Sequence, residues 1–276
     1  MSSSPSLPGQ MSSSQAGAPL ASRGSTPARW AWAVWNLLQL VFTLAWTGGL
    51  IPVALLVGLF SGGAQRPLRM AAWLWAPGLL GGAGARLKVE GAEGVDWSRP
   101  VMLVANHASM IDICAMFRAV PVPLRFLLKK EMTRVPLVGR YARSTGMLFV
   151  DRADRRAGIR MIHDATAMLR AGRTLCIFPE GTRSRDGRVA EFKGGAFQAA
   201  IAAGVPVVPV AIHGAGAVLP VSGLFRVRPG RIVVRFGAPI ATAGADRNHL
   251  AEAAHRDVLR MLEEIGATAP KAAREE

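Results

Sequence analysis

From Trp30 to Ala64 the chain carries no charged residue. That run exceeds the roughly 20 residues a helix needs to cross a bilayer. Gly48-Gly49-Leu50-Ile51-Pro52 lies near its middle, where two glycines and a proline predict a break or a sharp turn. Arg23 and Arg29 precede the run and Arg66 and Arg69 follow it, so the basic residues give no asymmetry to orient a single span. Two positive ends are reconciled most simply by a hairpin that enters and leaves on one side. A second apolar stretch, Met70 to Ala85, is shorter and interrupted by Pro77 and several glycines, which predicts an interfacial segment rather than a spanning one. Trp30, Trp32, Trp35, Trp46, Trp73 and Trp75 fall in these two stretches, and indole rings prefer the headgroup level. The competing assignment, a core hairpin of a soluble protein, requires a very large core to cover so long a charge-free run.

After Arg86 the pattern changes to short apolar runs of strand length at Val101–Ala105, Phe126–Leu128, Leu148–Val150, Leu175–Phe178, Val207–Ile212 and Ile232–Phe236. Helical spacing separates several of them. Residues 154–170 place Gly158, Ile162, Ala165 and Leu169 on one face, residues 189–203 are Ala-rich, and residues 246–265 repeat Leu250, Ala254, Val258, Leu262 and Ile265. Strands alternating with helices predict an α/β domain with a largely parallel central sheet flanked by helices, preceded by the hydrophobic helical hairpin. The domain reading is therefore a disordered tail at 1–29, rich in Ser, Gly, Pro and Ala, membrane-anchoring helical segments at 30–85, a catalytic domain at 86–268 and a flexible tail at 269–276.

Composition changes this picture in one respect. Lys and Arg number 33 against 18 Asp and Glu, a net charge of +15 spread along the chain, which favours anionic partners such as acidic lipid, phosphorylated substrates or nucleic acid. The basic residues lack the interleaved aromatics of a nucleic-acid surface, which speaks against that partner. Cys114 and Cys176 lie inside apolar runs with no paired spacing, as small buried residues do. The chain contains no Gly-x-Ser-x-Gly elbow, no His-Glu-x-x-His and no Walker-type loop, which disfavours a serine hydrolase, a zinc protease and a P-loop nucleotidase.

Candidate chemistry gathers at strand ends. Asn106-His107 follows Val101–Ala105, and ligands in open α/β sheets bind at the carboxyl ends of the strands. Asp112, five residues on, is placed to reach back to the imidazole if a helix begins at Ser109; such a pair makes a general base, or merely holds a loop. Phe178-Pro179-Glu180-Gly181-Thr182-Arg183-Ser184 also follows a strand, and its Arg183 fork suits a phosphate, or else forms a surface pair with Glu180. Gly146 to Arg152 is a third strand ending in charge, and Lys129 and Lys130 follow Phe126–Leu128.

Taken in order, Asn-His-x4-Asp, Gly-x-x-Phe-x-x-Arg, Phe-Pro-Glu-Gly-Thr-Arg-Ser and Val205-Pro206-Val207-Val208-Pro209-Val210 resemble the four sequence blocks of the glycerolipid acyltransferases, over roughly residues 86–240. The resemblance is nearest to bacterial 1-acyl-sn-glycerol-3-phosphate acyltransferases. It implies acyl transfer to the sn-2 hydroxyl of lysophosphatidic acid from acyl-CoA or acyl-carrier protein, giving phosphatidic acid, with no metal or other cofactor. It implies catalytic roles for His107 as base and Asp112 as its orienting partner. Lys129, or the adjacent Lys130, and Arg183 are implied to bind the acceptor phosphate, Arg152 to assist, and Glu180, Gly181 and Thr182 to shape the acceptor pocket. Met132 stands where the family usually has Leu. The Arg-rich turn from Arg183 to Arg188 is expected to face the membrane or the donor's phosphates. The partners implied are a membrane lipid acceptor, the acyl donor and an anionic membrane surface, at a bacterial inner membrane with the catalytic domain on its cytoplasmic side. Other lysolipids, lyso-ornithine lipid or glycerol phosphate remain open as acceptors, and a non-enzymatic lipid- or nucleic-acid-binding module is the alternative from another class.

Overall fold

The computed structural model describes residues 26–151, 154–222 and 225–268. The predicted tails therefore fall largely outside the described residues, although the first helix already begins at Thr26. Contacts divide the chain into two units at Trp35 and Asn36, and residues 36–85 belong to the same unit as the sheet.

Among the described residues seven strands form one sheet: β1 (Ala85–Glu90), β2 (Met102–Ala105), β3 (Leu124–Lys129), β4 (Leu148–Val150), β5 (Thr174–Ile177), β6 (Val207–His213) and β7 (Gly230–Phe236), in the order β1-β7-β6-β2-β5-β3-β4. All neighbours are parallel except β6 and β7. The central strands β2 and β5 are buried on both faces, as their unbroken apolar runs require. Because β2, β3, β4, β5 and β6 run the same way, Ala105, Lys129, Val150, Ile177 and His213 all reach one edge of the sheet, and the motif loops follow from that edge.

Two cores form, one on each face. Leu103, Ala105, Phe126, Cys176 and Val210 point into the first, covered by helices α3 (Ala76–Gly82) and α4 (Ile111–Ala119). Met102, Val104, Leu175, Ile177 and Val207 point into the second, covered by α6 (Arg155–Arg170), α7 (Phe197–Ala203) and α9 (Arg247–Thr268). The alternation follows from the two-residue period of a strand. On α9 the buried face is Leu250, Ala251, Ala254, Val258, Met261 and Ile265; of the predicted repeat Leu262 is half-buried, and Met261 takes the inner position. Two short helices, α5 (Val138–Ser144) and α8 (Ala215–Val218), complete the layers.

The hairpin is present, but it turns elsewhere than the sequence suggests. Helix α1 (Thr26–Ser61) runs unbroken through Gly48-Gly49 and Pro52 for 36 residues, about 54 Å at 1.5 Å per residue. Proline at 52 removes one intrahelical bond, to the Gly48 carbonyl, and a single missing bond does not reverse a chain. Reversal comes at Gly62, whose φ of 67° only glycine adopts freely. The chain then returns through α2 (Gln65–Met70), a wider π turn at Ala71–Trp75, and α3. Met70 to Ala85 is thus mostly helix, packed on α4.

The two arms of the hairpin interlock. Gly78 and Gly82, four apart, leave a groove that receives Trp46 and Phe42, also four apart, whose rings stack at 5.8 Å. The Trp46 indole N–H donates to the Trp75 carbonyl at 3.3 Å, and the Trp75 indole donates to Thr47 Oγ1 at 3.1 Å. A Cβ on Gly78 would enter the space of the Trp46 ring. Gly78→Ala is therefore expected to destabilise the protein by about 1–3 kcal/mol of overpacking. Helix propensity alone favours alanine by about 1 kcal/mol, so the sign of the change is diagnostic. A thermal midpoint in detergent that stays level or rises would refute the interlock.

The described part of α1 contains a window of 32 residues, Trp30–Ser61, long and apolar enough to cross a membrane. Trp30, Leu37, Leu44, Leu59 and Phe60 on it are exposed.

Candidate active site

Strand β2 delivers Asn106 and His107 to the carboxyl edge. Asn106 is buried, and its side-chain amide pairs twice with Ile212 of β6: Nδ2 donates to the Ile212 carbonyl at 2.9 Å and Oδ1 accepts from the Ile212 N–H at 2.7 Å. A side chain thus continues the ladder one step past the strand, and fixes where His107 begins. The His107 N–H donates to Glu180 Oε1 at 2.6 Å, and its carbonyl accepts from the Ser184 N–H at 2.8 Å. Ser109, also buried, donates its hydroxyl to the Leu219 carbonyl at 2.6 Å, closing the loop from the α8 side.

The imidazole is held as firmly as its backbone. Nδ1 bonds Asp112 Oδ2 at 2.8 Å, and the ring lies flat on Phe178 with centroids 4.0 Å apart. Phe178 in turn stacks on Phe126 of β3. Asp112 sits in the first turn of α4 and is fully buried. Its Oδ2 also accepts the N–H groups of Ala108 and Ser109, each at 2.8 Å. An oxygen facing three nitrogen donors is an acceptor, so Nδ1 carries the proton and Nε2 presents a lone pair. The helix N-terminus favours the carboxylate charge. No described residue bonds Nε2, and the histidine side chain keeps 14% of its surface exposed. The result is an oriented base with one open nitrogen.

Residues 86–213 match the family model described as Acyltransferase. A 1-acyl-sn-glycerol-3-phosphate acyltransferase of Cocos nucifera is 31% identical over 226 residues, 80% of this chain and 68% of the relative. This chain belongs to the acyltransferase family. A crystal structure of the 1-acyl-sn-glycerophosphate (LPA) acyltransferase PlsC from Thermotoga maritima superimposes with a TM-score of 0.76 at 27% identity, covering 88% of this chain and 99% of the other. A Chlamydomonas reinhardtii 1-acyl-sn-glycerol-3-phosphate acyltransferase is 37% identical over 136 residues, 49% of this chain. The chain spans 41% of that relative's length and 45% of that of a chloroplastic relative from Arabidopsis thaliana.

In this member of the family the other predicted site residues that are described sit at the same sheet edge but in unlike states. Arg183 is half-buried and has no ion pair among the described residues. Gly181, at φ 79°, donates its N–H to the Phe178 carbonyl at 3.0 Å and turns the chain, while Thr182 is exposed. Lys129 ends β3 and pairs with Glu131 at 3.0 Å; Lys130 pairs with Asp151 at 3.0 Å. Arg152 lies outside the described residues. Both cysteines are buried and free, and burial first, then the Asp112 charge, pushes the Cys114 thiol up to about 12 and the Cys176 thiol up as well. Neither is a nucleophile at neutral pH. Among the described residues no cluster of three or more His, Cys, Asp or Glu is placed to hold a metal ion.

Glu180 differs from its expected place in an acceptor pocket. It is 4% exposed, and both oxygens are taken by backbone: Oε1 by the His107 N–H and Oε2 by the Ala190 N–H at 3.0 Å. It binds the β2 end to the loop beyond β5. Asn106, Ser109 and Phe178 are further residues that shape the site; the motif spacing marks their place without showing what they touch.

Burial pushes the Glu180 carboxyl above its ordinary value of 4.5, and the two N–H donors pull it back in part. A carboxyl raised on folding binds its proton more tightly in the folded state, so this contribution is present at low pH and lost as pH rises from 4.5 through the folded value. Glu180→Gln abolishes the titration and leaves one of the two part-buried N–H donors without its acceptor, at about 1 kcal/mol, the low end of the range for a lost partner. Urea unfolding of both proteins between pH 4 and 7 should show wild type ahead, by a margin that shrinks as pH rises. A margin that widens with pH would contradict the assignment.

Proposed function

We propose that the chain transfers an acyl group from acyl-CoA or acyl-carrier protein to the sn-2 hydroxyl of lysophosphatidic acid, giving phosphatidic acid. The observation that carries this reading is the open Nε2 of a buried His107–Asp112 pair on the sheet edge that also bears Arg183. His107 Nε2 takes the acceptor's hydroxyl proton as its oxygen attacks the thioester carbonyl carbon. The C–S bond then breaks, and the departing sulfur takes the proton back from the imidazolium, whose charge Asp112 has stabilised. A thioester needs no covalent enzyme intermediate, since its thiolate leaves readily; one positioned base contributes about 10²–10⁴ in rate. Orienting two reactants contributes about 7–11 kcal/mol more. Arg183, Lys129 and Arg152 are the candidate cations for the acceptor phosphate, with Gly181 and Thr182 bordering it.

A cavity of about 380 Å³ lies between the hairpin and the first core. Leu44, Ile51, Trp75, Ile113, Phe117 and Phe126 line it with other apolar side chains. Such a space takes a hydrocarbon chain, and the exposed apolar face of α1 suits the bilayer that holds the acceptor. That face supports the reading of a membrane-associated protein. The relatives named chloroplastic give no support to a bacterial inner membrane in particular.

The test is a panel of lyso-acceptors, with and without phosphate monoester headgroups, turned over by the full chain and by Arg183→Ala. Arg183→Ala should raise KM for lysophosphatidic acid about tenfold or more, the scale of a charge-assisted contact, with kcat altered far less. An unchanged KM removes Arg183 from phosphate recognition, and a preference for glycerol phosphate or lyso-ornithine lipid replaces the acceptor.

A further inference from the structure

Both ends of the segment from Ser184 to Ala190 are tied to His107. The Ser184 N–H donates to the His107 carbonyl at 2.8 Å. The Ala190 N–H donates to Glu180, whose other oxygen accepts the His107 N–H. Inside the segment, Asp186 Oδ1 accepts from Ser184 Oγ and from the Arg188 N–H, both at 3.1 Å, and Gly187 at φ 79° completes the reversal. Those two bonds hold the Asp186 carboxyl below its ordinary value and commit it to the turn. Arg185 and Arg188 are exposed, and neither has an ion pair among the described residues. Two exposed cations therefore stand on a turn fixed to the backbone of the catalytic base, Arg188 near enough to Asp186 for its charge to help lower that carboxyl.

The direction of the turn narrows what they meet. Beyond it Val189 and Phe192 pack into the second core, under α6, α7 and α9. The hairpin residues from Asn36 onward and the apolar cavity belong with the first core, on the other face of the sheet. The chain leaving the turn thus joins the face of the sheet opposite the hydrocarbon-lined cavity, and the exposed turn is open to a water-borne substrate. Acyl-CoA and acyl-carrier protein share one feature there: a pantetheine arm that ends in a phosphate ester.

We propose that Arg185 and Arg188 clamp the phosphate of the acyl donor's phosphopantetheine arm. This inference rests on the acyl-transfer reading above and assigns the donor's place within it. The guanidinium forks match phosphate oxygens, and a turn already closed by Asp186 loses little freedom when it binds. Binding energy from the far end of the arm then positions the thioester at His107, so a donor without that phosphate loses rate as well as affinity. Arg183, half-buried and earlier in the loop, stays with the acceptor.

The experiment uses the full chain with lysophosphatidic acid in neutral vesicles and three donors of one acyl length: acyl-CoA, S-acyl phosphopantetheine and S-acyl pantetheine. Wild type should lose about tenfold or more in kcat/KM between the second and third, the scale of a hydrogen-bonded charge. Arg185→Ala/Arg188→Ala should bring both phosphorylated donors down to the pantetheine level and leave KM for the acceptor within about twofold, far below that contact's scale. A loss confined to acyl-CoA overturns the proposal in favour of the nucleotide's phosphates. Equal loss on all three donors, a raised acceptor KM, or weaker vesicle binding with donor discrimination intact also overturns it. No product from wild type with any donor defeats the acyl-transfer reading itself.

Discussion

His107→Ala is expected to lower kcat by about 10²–10⁴, the contribution of a positioned general base, while the fold survives. The structure explains why the two effects separate. The bonds that hold residue 107 in place, from its N–H to Glu180 and from Ser184 to its carbonyl, are backbone bonds that alanine keeps. Asp112 loses one of its three donors but retains the N–H groups of Ala108 and Ser109. Steady-state rates with acyl-CoA and lysophosphatidic acid, measured beside a thermal midpoint, should show collapse of the first and little movement of the second. Wild-type turnover in the variant would remove His107 from the chemistry.

Asp112→Asn is expected to cost activity on a similar scale for a different reason. The amide oxygen can occupy the position of Oδ2, because two backbone N–H groups and Nδ1–H all require an acceptor there. The amide nitrogen then falls where Oδ1 lies, a buried atom without a hydrogen-bond partner among the described residues. The tautomer of His107 is kept, and what disappears is the charge that stabilises the imidazolium. We expect kcat to fall by about 10²–10⁴, the range for losing general-base assistance, with KM little changed. Asp112→Ala, by contrast, leaves the imidazole N–H and the Ala108 and Ser109 N–H groups without their acceptor, at about 1–3 kcal/mol for the buried Ser109 donor alone, and should lose stability as well. Equal stability of the two variants would show that the carboxylate does not organise the loop.

Much of this was legible before any coordinates. Six of the seven strands announce themselves as short apolar runs, and the five-residue step from His107 to Asp112 places the pair. β1 escapes because it is an edge strand with Arg86 and Lys88 exposed, so its run Ala85–Glu90 alternates with charge. The break or turn is expected within Gly48-Gly49-Leu50-Ile51-Pro52, since proline and glycine both read as breakers. Gly62, unlike Gly48 and Gly49, has the left-handed backbone that reverses the chain. Residues 189–203 have helical composition, yet α7 starts at Phe197. Ala190 is committed to Glu180 and Lys193 to the Pro179 carbonyl, and those tertiary bonds outweigh local propensity. The role of Glu180 was hidden for the same reason. Its partners are 73 residues before it and 10 after it, a separation that no local pattern encodes.

The most direct test of the account is positional. The full chain is incubated in vesicles with 1-acyl lysophosphatidic acid and an acyl-CoA carrying a labelled chain, and the product is cleaved regiospecifically. The account predicts labelled phosphatidic acid with the label at sn-2, formed by wild type and not by His107→Ala. Label at another position, or equal product from the variant, would contradict it.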